Sequence, residues 1–204
     1  MSKSVLSVLA AMFAVTALAA ETIKLPPPQK SGGEGVFSVL AERRSIRRYK
    51  MEALSQQELS TLLWAGFGVT GSKDRRTAPT AVNRRELTLY AILADGAYKY
   101  LPQTNELEKV SGEDLRPLSG GNVDAPAYIL IVADLKRAAN DEYAAIDTGY
   151  ISQNLYLAAT AQGLGSCALG SFKRNAENVA KLAAALKLAD HEKPILSQAV
   201  GKLK

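Results

Sequence analysis

Apolar and polar positions follow two different periods along this chain, and each period predicts its own kind of element. Apolar residues recur at helical spacing over residues 56–66, which predicts a helix. Ser55 directly precedes this segment and is separated from Glu58 by the spacing of a capping box. Further helices are predicted over residues 36–42, 141–162 and 176–186. The long helix is rich in small residues, mostly Ala, so another element can pack closely against it, and we expect it to be central.

Segments rich in aliphatic and aromatic residues predict the strands. Residues 86–94 and 97–101 flank the tight-turn dipeptide Asp95-Gly96, which predicts a hairpin. Strands are also predicted over residues 128–133 and 194–200, and residues 165–172 read as a short strand or a loop. Because helices and hairpins are mixed without a regular βαβ repeat, the order predicts an α+β fold.

The first 20 residues have a different pattern, a run of mostly Ala, Val and Leu with Lys3 as its single charge. Ala17-Leu18-Ala19 fits the A-x-A cleavage site of a secretory signal peptide, so we expect a periplasmic or secreted protein. An uncleaved membrane anchor is the alternative. The run is short for a membrane span, however, and Glu21 follows it instead of a basic stop.

Prolines and glycines dominate the next segment, residues 21–35, which predicts an extended tether after the signal peptide. The domain proper is then expected over residues 36–204. No stretch after residue 20 is apolar over the roughly 18 residues that a transmembrane helix needs, so no membrane span is expected once the signal is cleaved.

Composition argues against several kinds of site. With Cys167 as the single cysteine and His191 as the single histidine, the chain favours neither a transition-metal site nor a catalytic pair of histidine with cysteine or serine. The formal net charge is only +5, and the arginines cluster locally. Such a cluster suits a small anion better than a nucleic acid, which needs a long basic face. Any chemistry is therefore expected to rest on a bound cofactor.

The sharpest local feature is the run Arg43-Arg44-Ser45-Ile46-Arg47-Arg48, which follows a predicted helix. Guanidinium groups bind phosphate oxygens in forked pairs, and a serine hydroxyl adds a short donor. The run therefore predicts a site for a phosphate group. A solvated basic surface turn is the alternative that these residues leave open.

Two further segments combine small residues with polar groups. Pro79 restrains a loop in which Thr80 and Asn83 offer hydrogen-bonding groups, and its small neighbours would let a flat ring approach. Residues 163–170 contain three glycines, which permit close approach of the backbone to a ligand, although they lack the spacing of a dinucleotide fingerprint. Each segment by itself is also compatible with an ordinary loop or the end of a helix. Cys167 is compatible with a small residue of the core.

In combination, these segments resemble the nitroreductase family of flavoproteins. The run RRSIRRY resembles the family's phosphate loop, and APTAVN before ELTLYAI resembles its proline–small–small–x–Asn loop and the strand that follows. The stretch GYISQNLYLAATAQGLGSCALGSF resembles its central helix and flavin-facing loop, and LLWAGFGVTG before RRTAPTA resembles the SagB-type dehydrogenase branch. The resemblance covers about residues 36–204. It implies a nitroreductase-like α+β fold, with a mixed or antiparallel central sheet flanked by helices.

The resemblance further implies FMN at the interface of a homodimer. On one chain, the phosphate, the ribityl chain and the N1–O2 edge of the flavin would be held by Arg43, Arg44, Ser45 and Arg47. The other chain would contribute Pro79, Thr80, Ala81 and Asn83. The backbone at Leu169 and Gly170 would face flavin N5, and Lys202 or Lys204 would touch the phosphate. The family's glutamate near N5 is absent at Leu169, which leaves that contact to backbone amides.

The function that the resemblance implies is an FMN-dependent oxidoreductase with ping-pong turnover. A small-molecule donor, NAD(P)H or another, would reduce the flavin, and an acceptor such as a quinone or nitro compound would then be reduced through N5. No side chain is required as a catalytic acid or base. The alternative is an exported flavin-binding or partner-interaction protein without turnover, because nicotinamide donors are not expected outside the cytoplasm.

The signal peptide yields a first testable prediction. The mature chain is expected to begin at Ala20 or Glu21 and to occur in the soluble exported fraction of the native host. N-terminal sequencing of protein isolated from that host measures this directly. Recovery of chains that keep Met1 in the cytosol would contradict export.

Overall fold

The computed structural model describes residues 21–204, so the predicted signal peptide lies outside the described part of the chain. The strands are β1 (Thr22–Lys24), β2 (Leu87–Leu93), β3 (Gly96–Leu101), β4 (Glu106–Ser111), β5 (Ala127–Asp134), β6 (Leu164–Leu169) and β7 (Glu192–Lys202). They form one sheet in the order β1-β4-β3-β2-β5-β7-β6, and all these neighbours are antiparallel. The expected mixed or antiparallel sheet is therefore antiparallel.

The helices are α1 (Val36–Glu42), α2 (Gln56–Phe67), α3 (Arg116–Ser119), α4 (Asp141–Ala161) and α5 (Ala176–Ala185). The predicted capping box is present, since Ser55 and Glu58 each accept a hydrogen bond from the other's backbone amide. Asn140 caps α4 by accepting from the Tyr143 amide at 2.8 Å. Across residues 21–204, none of the helices is both long and apolar enough to span a membrane.

The central strand β5 explains why helices cover both faces of the sheet. Ile129 and Ile131 point into a core that contains residues of α2 and α4, whereas Leu130 and Val132 point into a second core with residues of α5. All four side chains are fully buried. A strand buried on both faces is apolar throughout instead of alternating, which accounts for its continuous hydrophobic sequence.

The structure corrects the prediction of a tether over residues 21–35. The segment is extended, but β1 pairs with β4 and the side chain of Leu25 is buried in the core. Pro26, which lacks an amide donor, still offers its carbonyl, which accepts from Ser60 Oγ at 2.6 Å and from Asn105 Nδ2 at 3.0 Å. At least the first half of the segment 21–35 therefore belongs to the domain. Side chains of the domain form hydrogen bonds with its backbone, which the proline-rich composition alone suggests is exposed to solvent.

Besides β1, two elements, β4 and α3, have no counterpart in the sequence analysis. The strand β4 carries charged residues and lies between β1 and β3 near the sheet edge, where solvent reaches much of it. The helix α3 is a single turn with Pro117 near its start. The uncertain segment 165–172 resolves into β6 followed by a 3-10 turn over Gly170–Arg174.

Candidate active site

The arginine run leaves the end of α1 and lies against the open edge of the sheet. Ser45 bridges Ser166 of β6, and the amide of Ile46 donates to the Ser166 carbonyl at 2.9 Å. Gly165 permits this approach, because a Cβ there would lie 2.8 Å from Cγ2 of Ile46. The glycine-rich segment thus allows the arginine run to pack closely against β6.

A second contact fixes the far end of the run beside the C-terminus. Tyr49 bridges Leu203, and the amide of Lys50 donates to the Lys202 carbonyl at 3.1 Å. The predicted C-terminal lysines therefore do lie next to the arginine run. The Lys202 ammonium is paired with Glu52 at 3.1 Å, so it would have to leave this carboxylate to reach a phosphate, and Lys204 is exposed.

The charges of the arginine run are not compensated by carboxylates. Within residues 21–204 no ion pair involves Arg43, Arg44, Arg47 or Arg48. Arg44 donates through one Nη to the carbonyls of Ala41 and Arg43 at 2.8 and 2.9 Å, which leaves its other donors available. Several guanidinium groups without counter-ions form a region of positive potential, and this donor set fits the phosphate of FMN.

Tyr156 of α4 organises this region, and the sequence analysis did not identify it. Its hydroxyl is hydrogen-bonded to Ser45 Oγ at 3.0 Å and accepts from the Ala168 amide at 2.8 Å. The guanidinium of Arg43 lies over its ring, 5.1 Å from the centroid, within the range of a cation–π contact. One side chain thus joins the arginine run to the strand that leads to Leu169. The sequence carries no local signal for this role, because the two partners are distant along the chain.

A buried amide supports the same part of β6 from behind. Gln198 of β7 donates to Ser166 Oγ at 2.8 Å and accepts from Ser152 Oγ of α4 at 2.8 Å. All three side chains are buried. Buried polar groups satisfied in this way hold their elements in one arrangement, so the strand opposite Ser45 is rigid.

The predicted flavin-facing segment lies where β6 ends. The Leu169 side chain is buried, whereas Gly170 is exposed and a Cβ built on it would meet no atom within 4 Å. Leu169 is three residues from Ser166, which corresponds to about 10 Å along a strand. The exposed backbone at Gly170 therefore comes directly after the strand against which the arginine run docks.

The loop with Pro79, Thr80, Ala81 and Asn83 lies apart from this surface. The Ala81 amide donates to a carboxylate oxygen of Asp147 at 2.7 Å, near the start of α4. Tyr156 is nine residues further along this helix, about 13 Å at the rise of roughly 1.5 Å per residue. Val82 and Asn83 have positive φ angles and are exposed. Within one chain, the two groups of predicted site residues are thus not brought together.

Two buried carboxyl groups lie behind this loop. Glu86 and Asp147 are each 2% exposed, and no hydrogen bond to the carboxyl oxygens of Glu86 is formed by a donor among the described residues. Burial first, and then the adjoining Asp147 carboxyl, raise the pKa of Glu86 to about 7, against the opposing effects of the Glu86 backbone amide and of Arg137. A protonated Glu86 can donate to Asp147, so the pair is stable with one proton between them.

This pair predicts a stability that falls as the pH rises. The pKa of Glu86 is raised on folding, so its contribution is complete below the ordinary value of 4.5 and is lost as the pH approaches 7. Glu86→Gln keeps an amide that donates to Asp147 at any pH. At pH 8 its Tm should exceed that of the parent by a few °C, on the order expected for 1 kcal/mol in a domain of this size, and the gap should close towards pH 4.5.

Thermal unfolding followed by circular dichroism between pH 4 and 8 provides the measurement. Glu113→Gln, at an exposed position, removes the same charge and serves as the control. A difference in Tm between Glu86→Gln and parent that does not change with pH would contradict the shared proton.

Comparison with known proteins identifies relatives over most of the chain. The model of the nitroreductase family matches residues 40–202. A protein of Methanocaldococcus jannaschii assigned as a nitroreductase is 30% identical over 183 residues, which cover 80% of this chain and 89% of the relative.

Solved structures agree with this match. An assigned nitroreductase from Ralstonia eutropha JMP134 has a TM-score of 0.82 and 31% identity, with 90% of both chains covered. An assigned nitroreductase from Desulfovibrio desulfuricans, crystallised in complex with FMN, has a TM-score of 0.61 and 25% identity, and the match covers 83% of this chain and 87% of that one.

Proposed function

The chain belongs to the nitroreductase family, and from this premise we propose that it is an FMN-dependent oxidoreductase that reduces a small acceptor such as a quinone or a nitro compound. The observation that carries the proposal is the arginine run without counter-ions, docked against β6, the strand that leads to the exposed backbone of Gly170. We place the activity outside the cytoplasm on the strength of the predicted signal peptide alone.

Bound FMN supplies the electron or hydride transfer, and the residues of this chain bind and orient it. Arg43, Arg44 and Ser45 would hold the phosphate, with Ser45 fixed by Tyr156. The backbone of Leu169 and Gly170 would lie against the ring, since no side chain projects from the glycine. Arg47 would place a positive charge at the N1–O2 edge, which favours uptake of electrons by the ring.

We also propose that the site is completed in a homodimer. Exposed apolar side chains on α1 are Val36, Phe37 and Leu40, and those on α4 are Tyr143, Ile146 and Tyr150. Phe37 is 83% exposed, which is unusual for a side chain of its size. If these surfaces meet across a two-fold axis, Thr80 and Asn83 of one chain can reach the ring held by the other. This accounts for their separation from Tyr156 within one chain.

The phosphate contacts predict the effect of Arg44→Ala. Loss of charge-assisted hydrogen bonds to a phosphate costs on the order of 1.5–3 kcal/mol, so the Kd for FMN should rise roughly 10- to 150-fold. The parent with FMN should show flavin absorption near about 370 and 450 nm, should bleach with an electron donor and should recover with a quinone. Flavin fluorescence quenching gives the two affinities.

Lys181→Ala removes a positive charge from the exposed face of α5, where Lys181 pairs with Glu177, and should bind FMN like the parent. Equal affinities of folded Arg44→Ala and parent would reassign the arginine run to an ordinary basic surface turn. A parent that binds FMN but never passes electrons to any acceptor would favour a binding protein without turnover.

The shared site predicts that FMN binding and dimerisation are linked. A ligand held by two chains stabilises the dimer over the monomer, so FMN should lower the dissociation constant of the dimer. Sedimentation velocity over a dilution series, with and without FMN, measures this shift. A monomer that binds one FMN per chain at micromolar protein would refute the shared site and the roles given to Thr80 and Asn83.

A further inference from the structure

A second basic region lines a cavity on the far side of the loop that carries Thr80 and Asn83. The cavity measures about 280 Å³ and lies between the segment after α2, the start of β2 and the end of β3. Its basic lining residues are Arg76, Arg85, Lys99 and Arg137. Asp74 is the single acidic residue of its lining, so the charges leave an excess of three positive.

The one carboxylate is already occupied by two of the guanidinium groups. Arg76 Nη2 lies 3.0 Å from Asp74 Oδ1, and Arg85 Nη1 lies 3.1 Å from Asp74 Oδ2. The Arg76 side chain is only 8% exposed and also donates to the Phe67 carbonyl at 3.1 Å. Arg76 is therefore a fixed part of the wall, and Asp74 already pairs with two of the four cations of the lining.

The remaining two cations keep free donors. Lys99 makes neither a side-chain hydrogen bond nor an ion pair in the part of the chain that the structure describes. Arg137 donates through one Nη to the Arg84 carbonyl at 3.0 Å, and its charge also acts on the buried Glu86 carboxyl, but its other guanidinium donors remain available. Thr88 and Gln103 add neutral donors to the lining.

We infer that this cavity binds a small multivalent oxyanion of the phosphate or diphosphate class. The excess of positive charge around a half-enclosed space is repulsive, and an oxyanion that accepts hydrogen bonds from the available donors reduces this repulsion. Guanidinium forks and an ammonium group are the donors that proteins use for phosphate oxygens. The oxyanion is either a free ion or the phosphate group of a larger molecule, which shares the same chemistry.

Arg85 connects this cavity to the flavin loop. Its amide donates to Thr80 Oγ1 at 2.9 Å, and its Nε donates to Asn83 Oδ1 at 3.1 Å. An anion bound to the Arg85 guanidinium would therefore act directly on Asn83 and, through the Arg85 backbone, on Thr80, the two residues that the proposed function assigns to the ring of FMN. Occupancy of the cavity is expected to tighten FMN binding, and this consequence, unlike the site itself, rests on the proposed function.

Titration calorimetry with inorganic diphosphate tests the site. The protein is first saturated with FMN, so that the arginine run is occupied, and one diphosphate per chain is expected to bind in addition. Lys99→Gln and Arg137→Gln together should weaken this binding roughly 100-fold, at about tenfold for each lost cation. Both positions lie on the surface of the cavity, and the fold of the double variant is checked by its thermal unfolding.

The matched control is the double variant Lys181→Gln and Lys193→Gln, which loses the same charge outside the cavity and should bind diphosphate like the parent. Absence of diphosphate binding at millimolar concentration, or equal binding by both double variants, would overturn the site.

If the parent binds no FMN, the titration is repeated in Arg44→Ala. Diphosphate binding there would support the cavity even though the flavin assignment had failed. Inorganic phosphate as a second titrant distinguishes a site for a single phosphate group from one that needs the diphosphate.

Discussion

The central strand β5 is apolar on both faces, and the structure depends on covering both. Helices α2 and α4 bury one face, while α3, α5 and the 3-10 turn after β6 bury the other. At roughly 25 cal/mol for each Å² of apolar surface removed from water, this burial is the dominant favourable contribution to folding. It places α4 across the sheet, from where its side chains reach both regions that the proposed site requires.

Three positions on α4 illustrate how one helix serves several purposes. Asp147 holds the loop at Ala81, Ser152 supports Gln198, and Tyr156 contacts both Ser45 and the Ala168 amide. The outward face of the same helix leaves Tyr143, Ile146 and Tyr150 exposed. One side of α4 is therefore held by the core, whereas the other side is exposed. The proposed site between two chains requires this combination.

Charge is distributed unevenly over this scaffold. Positive charge is concentrated in the arginine run and in the cavity near Lys99, where Asp74 is the single carboxylate of the lining. Glu86 and Asp147, in contrast, are carboxyl groups buried near the loop of Thr80 and Asn83. Each arrangement costs stability in the free protein, by repulsion in the basic regions and by desolvation of the acids. Bound anions would relieve the repulsion, and the raised pKa of Glu86 favours its neutral form, which lowers the desolvation cost of the buried acids.

The sequence by itself determined the main helices, the hairpin at Asp95-Gly96, the antiparallel or mixed sheet and the family. Local signals such as the capping box at Ser55, and short motifs in a fixed order, are read without knowledge of the fold. Only the tertiary structure decided that Pro26 belongs to the domain, that Tyr156 joins the arginine run to β6, and that Glu86 meets Asp147. Each of these is a contact between residues far apart along the chain. Periodicity and composition show which face of a helix or strand is apolar. They do not show which polar side chain of a distant element will lie against that helix or strand.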